Sequence, residues 1–121
     1  MPVTEVVFFA EEGGSCPLIE WMDQLPEKAR VKCIVRIERL AQMGHELRRP
    51  EADFLRDDIH ELRASLRGIP YRMLYFFSGG QAVISHGLIK QGTEVPPKEI
   101  NIAIKRKTRF EKDPQKHVYG G

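Results

Sequence analysis

The sequence predicts an α+β fold, with an antiparallel sheet and helices packed against it. Three strand-like segments follow one another at residues 59–65, 71–77 and 81–89, and short turns join them. Consecutive strands with short connections form an antiparallel meander, and helices have to cover a face of the sheet to complete a core. A chain of 121 residues is long enough for one such domain.

The N-terminal third is predicted to hold a strand and two helices. Residues 3–9 are β-branched and aromatic, and they end at a glycine-bearing segment, which is typical of a strand. Residues 17–24 suit a short helix with proline in its first turn. Pro26 and Gly44 bracket the main helix at a first-turn and a C-cap position. The predicted buried stripe of this helix consists of Cys33, Ile34, Ile37, Leu40 and Ala41.

The remaining chain is predicted as a loop, the meander and a final helix. Residues 45–58 have no clear period and contain a proline, so they are predicted as a loop with at most a short turn of structure. Residues 78–80 provide the glycines of a tight turn before the third strand of the meander. The last helix is predicted to begin near Pro97. We expect a single domain over residues 1–112 and a mobile tail over residues 113–121.

The composition excludes several classes of protein. Hydrophobic residues make up 41% and charged residues 30%, which is ordinary for a soluble globular protein. There is neither an apolar run of membrane-spanning length nor a signal-peptide pattern, so we expect a cytoplasmic protein with no membrane partner. Cys16 and Cys33 are too few for a disulfide framework and are expected to be free thiols. The histidines lack paired spacing, so neither a metal nor a cofactor is expected.

Five candidate residues lie on or beside the meander: Arg63, Arg67, Arg72, His86 and Lys90. Cations that are fixed on a sheet face suit the binding of a phosphodiester. Metal-free cleavage of a phosphodiester needs a base for the attacking hydroxyl, an acid for the departing oxygen and cations for the charge on the phosphate. These residue types match that chemistry.

Three of these residues have two interpretations each. Arg72 lies in an aromatic strand, where an unpaired guanidinium is costly to bury, so it either pairs with Glu61 or clamps a phosphate. His86 is either a hydrogen-bonded structural residue or a proton-transfer group. Lys90 is either solvated or a phosphate ligand and acid. At the start of the last helix, Lys98 would add its charge to the anion affinity of the helix N-terminus.

A second set of cations lies on the main helix. Lys28, Lys32 and Arg36 recur at four-residue spacing on one helix face. They form either a solvated face or a stripe that contacts phosphates and orients the protein on RNA.

Four motifs occur in a fixed order along the chain. They are Glu61-Leu62-Arg63, Tyr71-Arg72 in an aromatic strand, His86-Gly87 with Lys90 after it, and a proline-led helix that contains Glu99-Ile100. In this order they resemble the RelE-type toxin ribonucleases, and among them the phage-derived HigB-like branch, over residues 3–107. The resemblance implies a small twisted antiparallel sheet, with the N-terminal helices on one side and a cationic cleft on the other. It also implies that Arg72 is catalytic, because Arg72 matches the arginine of the family's tyrosine–arginine pair.

The resemblance implies a function and partners as well. The chain would be the toxin of a toxin–antitoxin pair, an endoribonuclease that cleaves mRNA on the ribosome. Its antitoxin would be a small protein, often one with a helix-turn-helix domain. The chain departs from the family pattern, with Lys90-Gln91 where many relatives have two lysines. The lysines that RelE has on the strand at residues 59–63 and its tyrosine in the final segment also lack clear counterparts, so the general base is left open. Two other functions stay open: a non-catalytic module that binds RNA or the ribosome, and a phage-derived protein-interaction domain.

Overall fold

In the computed structural model, which describes residues 3–120, the chain forms one five-stranded sheet with helices on both faces. The strands are β1 (Glu5–Phe8), β2 (Ala52–Arg56), β3 (Ile59–Leu66), β4 (Ile69–Ser78) and β5 (Gln81–Ile89). The helices are α1 (Pro17–Asp23), α2 (Glu27–Met43) and α3 (Pro97–Lys112), with 3₁₀ turns at Gly44–Glu46 and Pro114–His117. The strand order is β1-β5-β4-β3-β2, and only the β1–β5 pair is parallel. The predicted α+β fold is confirmed.

The central strand β4 supplies both hydrophobic cores, because its side chains alternate between the two faces of the sheet. Tyr71 and Met73 pack with α1 and α2 on one face, which we call the α2 face. Leu74 and Phe76 pack with α3 on the other face, which we call the α3 face. Helices therefore cover parts of both faces, whereas the sequence predicted one covered face. None of the helices between residues 3 and 120 is long and apolar enough to cross a membrane.

A close contact between α1 and β5 explains the glycine in the His86-Gly87 motif. The indole ring of Trp21 lies directly on Gly87, and a Cβ atom at that position would overlap with the ring. Trp21 also packs edge-on against Tyr71, with the two ring centroids 6.3 Å apart. A glycine inside a strand often marks such a close approach. This half of the motif therefore has a packing role.

The largest error in the predicted elements is the missed strand β2. This strand lies within residues 45–58, which were predicted as a loop, and it forms a hairpin with β3. Asp57 and Asp58 make the turn with positive φ values of 51° and 64°, as a two-residue type I′ hairpin requires. The segment lacks a clear alternation because β2 is an edge strand, and Phe54 and Arg56 flank an irregularity in its register. The Asp57-Asp58 pair was the sequence signal that could have predicted this hairpin turn.

Two further expectations concern the buried stripe of α2 and the C-terminal segment. Within the predicted stripe of α2, Cys33 and Leu40 are buried, but Ile34 is 41% exposed because it lies beyond the contact with the sheet. The segment 113–120, predicted to be mobile, is attached to the end of β1. His117 Nδ1 donates to the carbonyl of Ala10 at 2.8 Å, and its ring stacks on Phe9. These contacts place the segment against the end of β1. The mobile tail over residues 113–121 stays a prediction, and residue 121 lies outside the described residues.

Candidate functional site

The α3 face brings most of the predicted catalytic residues into neighbouring positions. Across β3, β4 and β5, the register aligns Glu61, Leu74 and His86 in one row. Arg63 and Arg72 lie opposite each other in the next row. Diagonal neighbours on a sheet face are about 7–8 Å apart, so Arg72 and His86 border the same stretch of surface.

Glu61 holds two of the candidate cations. This residue is 3% exposed, its Oε2 lies 3.0 Å from Arg63 Nε, and its Oε1 lies 3.1 Å from Arg72 Nε. Arg72 Nη1 also donates to the carbonyl of Tyr71 at 3.1 Å, while Arg63 lies 3.6 Å from a carboxylate oxygen of Asp53. We call Glu61, Arg63 and Arg72 the Arg–Glu cluster. Of the two interpretations of Arg72 given by the sequence, the salt bridge with Glu61 is therefore present.

The guanidinium of Arg72 lies in an environment that disfavours its charge. Its side chain is 10% exposed, and burial lowers its pKa, an effect that the charge of Glu61 opposes. Although Arg72 Nε and Glu61 Oε1 are close, neither atom has a well-directed hydrogen bond within the described part of the chain. A buried guanidinium in this state has donor capacity left for a better-aligned anion. The catalytic role of Arg72 stays a prediction.

His86 lies in a chain of hydrogen bonds that connects β5 with α3. Its Nδ1 lies 2.8 Å from Ser85 Oγ, and its Nε2 lies 2.9 Å from Glu99 Oε1. Because a carboxylate can only accept, Nε2 donates to Glu99 and Nδ1 accepts from Ser85. Burial lowers the pKa of His86, while the hydrogen bond to Glu99 opposes that effect. At neutral pH His86 is therefore a neutral imidazole with both nitrogens engaged.

The two lysines expected near the site lie at its margins. Lys90 follows β5, where its backbone N–H donates to the carbonyl of Pro70. Its Nζ makes one long contact, at 3.5 Å, with the carbonyl of Thr93. Lys98 is exposed in the first turn of α3 and forms no ion pair among residues 3–120. Both ammonium groups are accessible to a ligand.

A cleft of about 460 Å³ opens beside the Arg–Glu cluster, between β2, β3 and the segment that leads into α3. Arg63 lines the cleft together with Arg49 and Arg56. Sequence reasoning did not include these last two arginines because it missed β2, which positions them. Arg49 pairs with Asp53 at 2.8 Å, and Arg56 pairs with Asp57 at 2.7 Å. The cleft thus carries several cations, each partly neutralised by a carboxylate.

The cations of α2 lie on the opposite side of the sheet. Lys28 and Lys32 are exposed, and within the described residues they form no ion pair. Arg36 is not free in the same way, since it donates to Glu51 at 3.0 Å and to the carbonyl of Arg63 at 2.7 Å. The predicted stripe therefore has two free lysines and one structural arginine.

The two lysines border a groove of about 640 Å³ between α2 and the end of β3. Val31 and Val35, which are 52% and 44% exposed, line this groove. Arg67, in the β3–β4 turn with φ of 51°, lies beside Lys28 in an adjoining pocket. It therefore belongs with the cations of α2 and not with the Arg–Glu cluster, where the sequence had grouped it.

A comparison with family models identifies the chain's relatives. The model described as phage derived protein Gp49-like (DUF891) matches residues 20–108, from α1 into α3. The chain belongs to this family. The Gp49-like family is known as a toxin-like module of the RelE/HigB type, in agreement with the resemblance found in the sequence. No curated protein matches the chain.

Proposed function

We propose that this Gp49-like chain is the toxin of a toxin–antitoxin pair and that it cleaves mRNA on the ribosome without a metal ion. The observation that supports this best is the position of Arg72. Its under-satisfied guanidinium lies diagonal to a neutral imidazole, in a family of toxin-like modules. A cation for the phosphate and a group that can exchange a proton are the minimum for this chemistry.

The proposed reaction assigns a role to each group near the cleft. The ribose 2′-hydroxyl attacks the adjacent phosphorus, its proton passes to a base, and the 5′-oxygen leaves with a proton from an acid. The products are a 2′,3′-cyclic phosphate and a 5′-hydroxyl end. Arg72 and Arg63 would bind the non-bridging oxygens, and Lys90 would supply the proton or a further contact. Glu61 is a positioning residue, because it orients both guanidiniums.

For His86 to accept the ribose proton, one of its two hydrogen bonds has to open, and the ring nitrogen that is freed must carry no proton. At Nε2 this requires the other tautomer, in which Nδ1 donates to Ser85 Oγ. The Glu99 contact is the candidate, because the Glu99 side chain is 22% exposed whereas Ser85 is fully buried. Glu99 opposes the lowering of the His86 pKa, so Glu99→Gln should shift the acid limb of the cleavage profile to lower pH. A purely structural role for Glu99 would leave that limb in place.

The proposal includes a protein partner, an antitoxin, whose helix-turn-helix class rests on the resemblance to RelE-type toxins. The structural support for a protein partner is the groove beside α2, where β3 extends past its partner β2. The N–H and carbonyl of Arg63 point to the β2 side, where they meet Glu51 and Arg36. Because backbone groups two residues apart on a strand point to the same side, the N–H and carbonyl of Ser65 also point to the β2 side. At that position β2 has already ended. An unpaired edge beside exposed valines and lysines suits an extended segment with apolar and acidic side chains.

A second candidate function is a non-catalytic module that binds RNA or the ribosome. The pairing of Arg72 with Glu61 and the two hydrogen bonds of His86 favour it. If Lys28 and Lys32 contact phosphates, replacing both with glutamine should lower the log–log salt slope of RNA binding by about 1.4, or about 0.7 for each contact. Glutamine at Lys105 and Lys112, exposed on α3, is the matched control. An unchanged slope would mean that Lys28 and Lys32 contact no phosphate and belong to a solvated helix face.

Induction in cells tests the toxin proposal. The wild-type chain should arrest growth and produce messages with new 5′-hydroxyl ends, and co-expression of the antitoxin should restore growth. Arg72→Met should remove both effects while the protein still accumulates and melts cooperatively. Growth arrest without cleaved message would favour the binding module. No arrest and no cleavage would favour a protein-interaction domain.

A further inference from the structure

An aromatic cluster lies at the β2 edge of the sheet, outside the groups assigned to the reaction. Its members are His45, Phe54, His60, Tyr75 and Phe77. The His45 and Phe77 rings stack with their centroids 3.6 Å apart, and the His60 ring stacks on Tyr75 at 5.1 Å. These rings line a cavity of about 380 Å³ on the α2 face, which is within the range of about 300–1,000 Å³ for small-ligand sites.

Phe54 is the exposed member of this cluster. It contacts His60 edge-to-face, with the centroids 5.3 Å apart and the rings inclined by 76°. It is nevertheless 54% exposed, so much of the ring can still contact a ligand. The register of the β2–β3 hairpin shifts between Phe54 and Arg56, and such bulges at sheet edges re-aim side chains. The edge strand thus presents an aromatic ring at the rim of the cavity.

The aromatic cavity and the cleft beside the Arg–Glu cluster meet across β2. Arg49, Asp53 and Phe54 line both of them. Arg48 borders the aromatic cavity and Arg56 borders the cleft, so cations flank Phe54 on both sides. The Arg49 side chain is 72% exposed despite its ion pair, and its guanidinium is therefore accessible to a phosphate.

The polar groups of the cavity are suited to the edge of an uncharged ring. Burial lowers the pKa of His60, and the nearby His45 adds to this effect, so the imidazole is neutral at neutral pH. A neutral imidazole offers one donor and one acceptor, and the carboxylate of Asp53 offers acceptors. Nucleobases carry both donors and acceptors on their edges.

We propose that the aromatic cavity at the β2 edge is a base-binding subsite, in which an unpaired nucleobase of single-stranded RNA stacks on Phe54. The adjacent phosphates run over Arg49 and Arg56 into the cleft. Alternating aromatic and cationic contacts are what unpaired strands require, because each base offers a π-face and each linkage a charge. A duplex does not fit, since its bases are already stacked. This inference rests on the proposed action on RNA and adds a subsite that positions the strand.

The test uses short single-stranded RNA that carries 2-aminopurine and is 2′-O-methylated throughout, so that the wild-type chain cannot cleave it. Stacking of a base on Phe54 should quench the 2-aminopurine fluorescence. Phe54→Ala should weaken binding by about 5- to 140-fold, the range for loss of one base–aromatic stack, and should remove the quench. The salt slope should stay unchanged, because no phosphate contact is lost. Phe54→Leu, which keeps apolar area but no aromatic face, should behave like Phe54→Ala.

The controls separate failure of this inference from failure of the proposed function. Tyr119→Ala removes an aromatic side chain of similar exposure, 47%, beside β1 at the opposite sheet edge and should change nothing. Arg56→Gln should reduce the salt slope but keep the quench. If the wild-type chain binds RNA and Phe54→Ala or Phe54→Leu binds it equally well, the subsite is refuted and the RNA proposal stands. A wild-type chain that binds no single-stranded RNA also refutes the subsite, whereas the proposed function is decided separately, by cleavage of a ribosome-bound message.

Discussion

In the Arg–Glu cluster, replacing Glu61 should destabilise the fold much more than replacing Arg72. In Glu61→Gln, Arg72 loses the carboxylate with which it pairs, while Arg63 keeps the carboxylate of Asp53 at 3.6 Å. Removing one partner of a buried ion pair costs about 3–5 kcal/mol. The amide oxygen of glutamine still accepts one hydrogen bond, so we expect about 3 kcal/mol. With an unfolding entropy of about 2.1 cal/mol/K per residue, this lowers Tm by about 12 °C.

Arg72→Met should be much milder. Glu61 keeps its contact with Arg63 at 3.0 Å, and methionine fills the space of the arginine stem, so we expect a loss of about 1 kcal/mol and about 4 °C in Tm. Glu111→Gln, which breaks the exposed pair with Lys107, is the control and should cost at most about 0.5 kcal/mol. Calorimetry measures all three variants. A loss for Arg72→Met as large as that for Glu61→Gln would mean that Arg72 maintains the fold and has no freedom to bind a ligand.

Two further predictions concern packing and protonation. Gly87→Ala should destabilise the fold by about 1–3 kcal/mol, because the new methyl group overlaps the ring of Trp21. Gly92→Ala, which adds a methyl group in open space, should have little effect, and equal melting curves for both would refute the contact. Burial lowers the pKa of both His60 and His86 below 6.5. In acid the unfolded chain therefore binds more protons than the folded chain. The stability that depends on these neutral histidines should be fully present above about pH 6.5 and should be lost as the pH falls below 6.5. In a plot of Tm against pH, His60→Gln should therefore reduce the slope below about pH 6.5.

The sequence predicted those elements whose signals are local. β5 spans residues 81–89 as expected, because the Gly79-Gly80 turn has the positive φ values that set its start. Helix α2 begins after Pro26 and ends before Gly44, whose φ of 55° confirms the predicted C-cap. Local propensity and turn chemistry are sufficient for such boundaries.

The missed features depend on contacts between distant residues. The edge strand β2 is stabilised by pairing with β3, so its own residues show no clear alternation. The C-terminal segment is held by His117 on the carbonyl of Ala10, a contact between residues 107 positions apart. No periodicity in either segment encodes these pairings.

The candidate site was predicted in outline and not in detail. The motif order placed Arg72 and His86 on neighbouring strands, and both positions are confirmed. The sequence left the partner of Arg72 open, because a cation in an aromatic strand requires some anion but does not specify which one. Arg49, Arg56 and the aromatic cluster were missed together, because β2 and its hairpin bring them to one edge.

Single-turnover cleavage of a ribosome-bound message tests the central claim most directly. The wild-type chain should cleave the message to 5′-hydroxyl ends, with a rate that is constant just above pH 6.5 and falls below it. Arg72→Met should lower the rate by about 10²–10³-fold, and His86→Gln by about 10²–10⁴-fold, with message affinity nearly unchanged. Full cleavage rates for Arg72→Met, His86→Gln and Lys90→Met, or no cleavage by the wild-type chain, would contradict the claim that this site is catalytic.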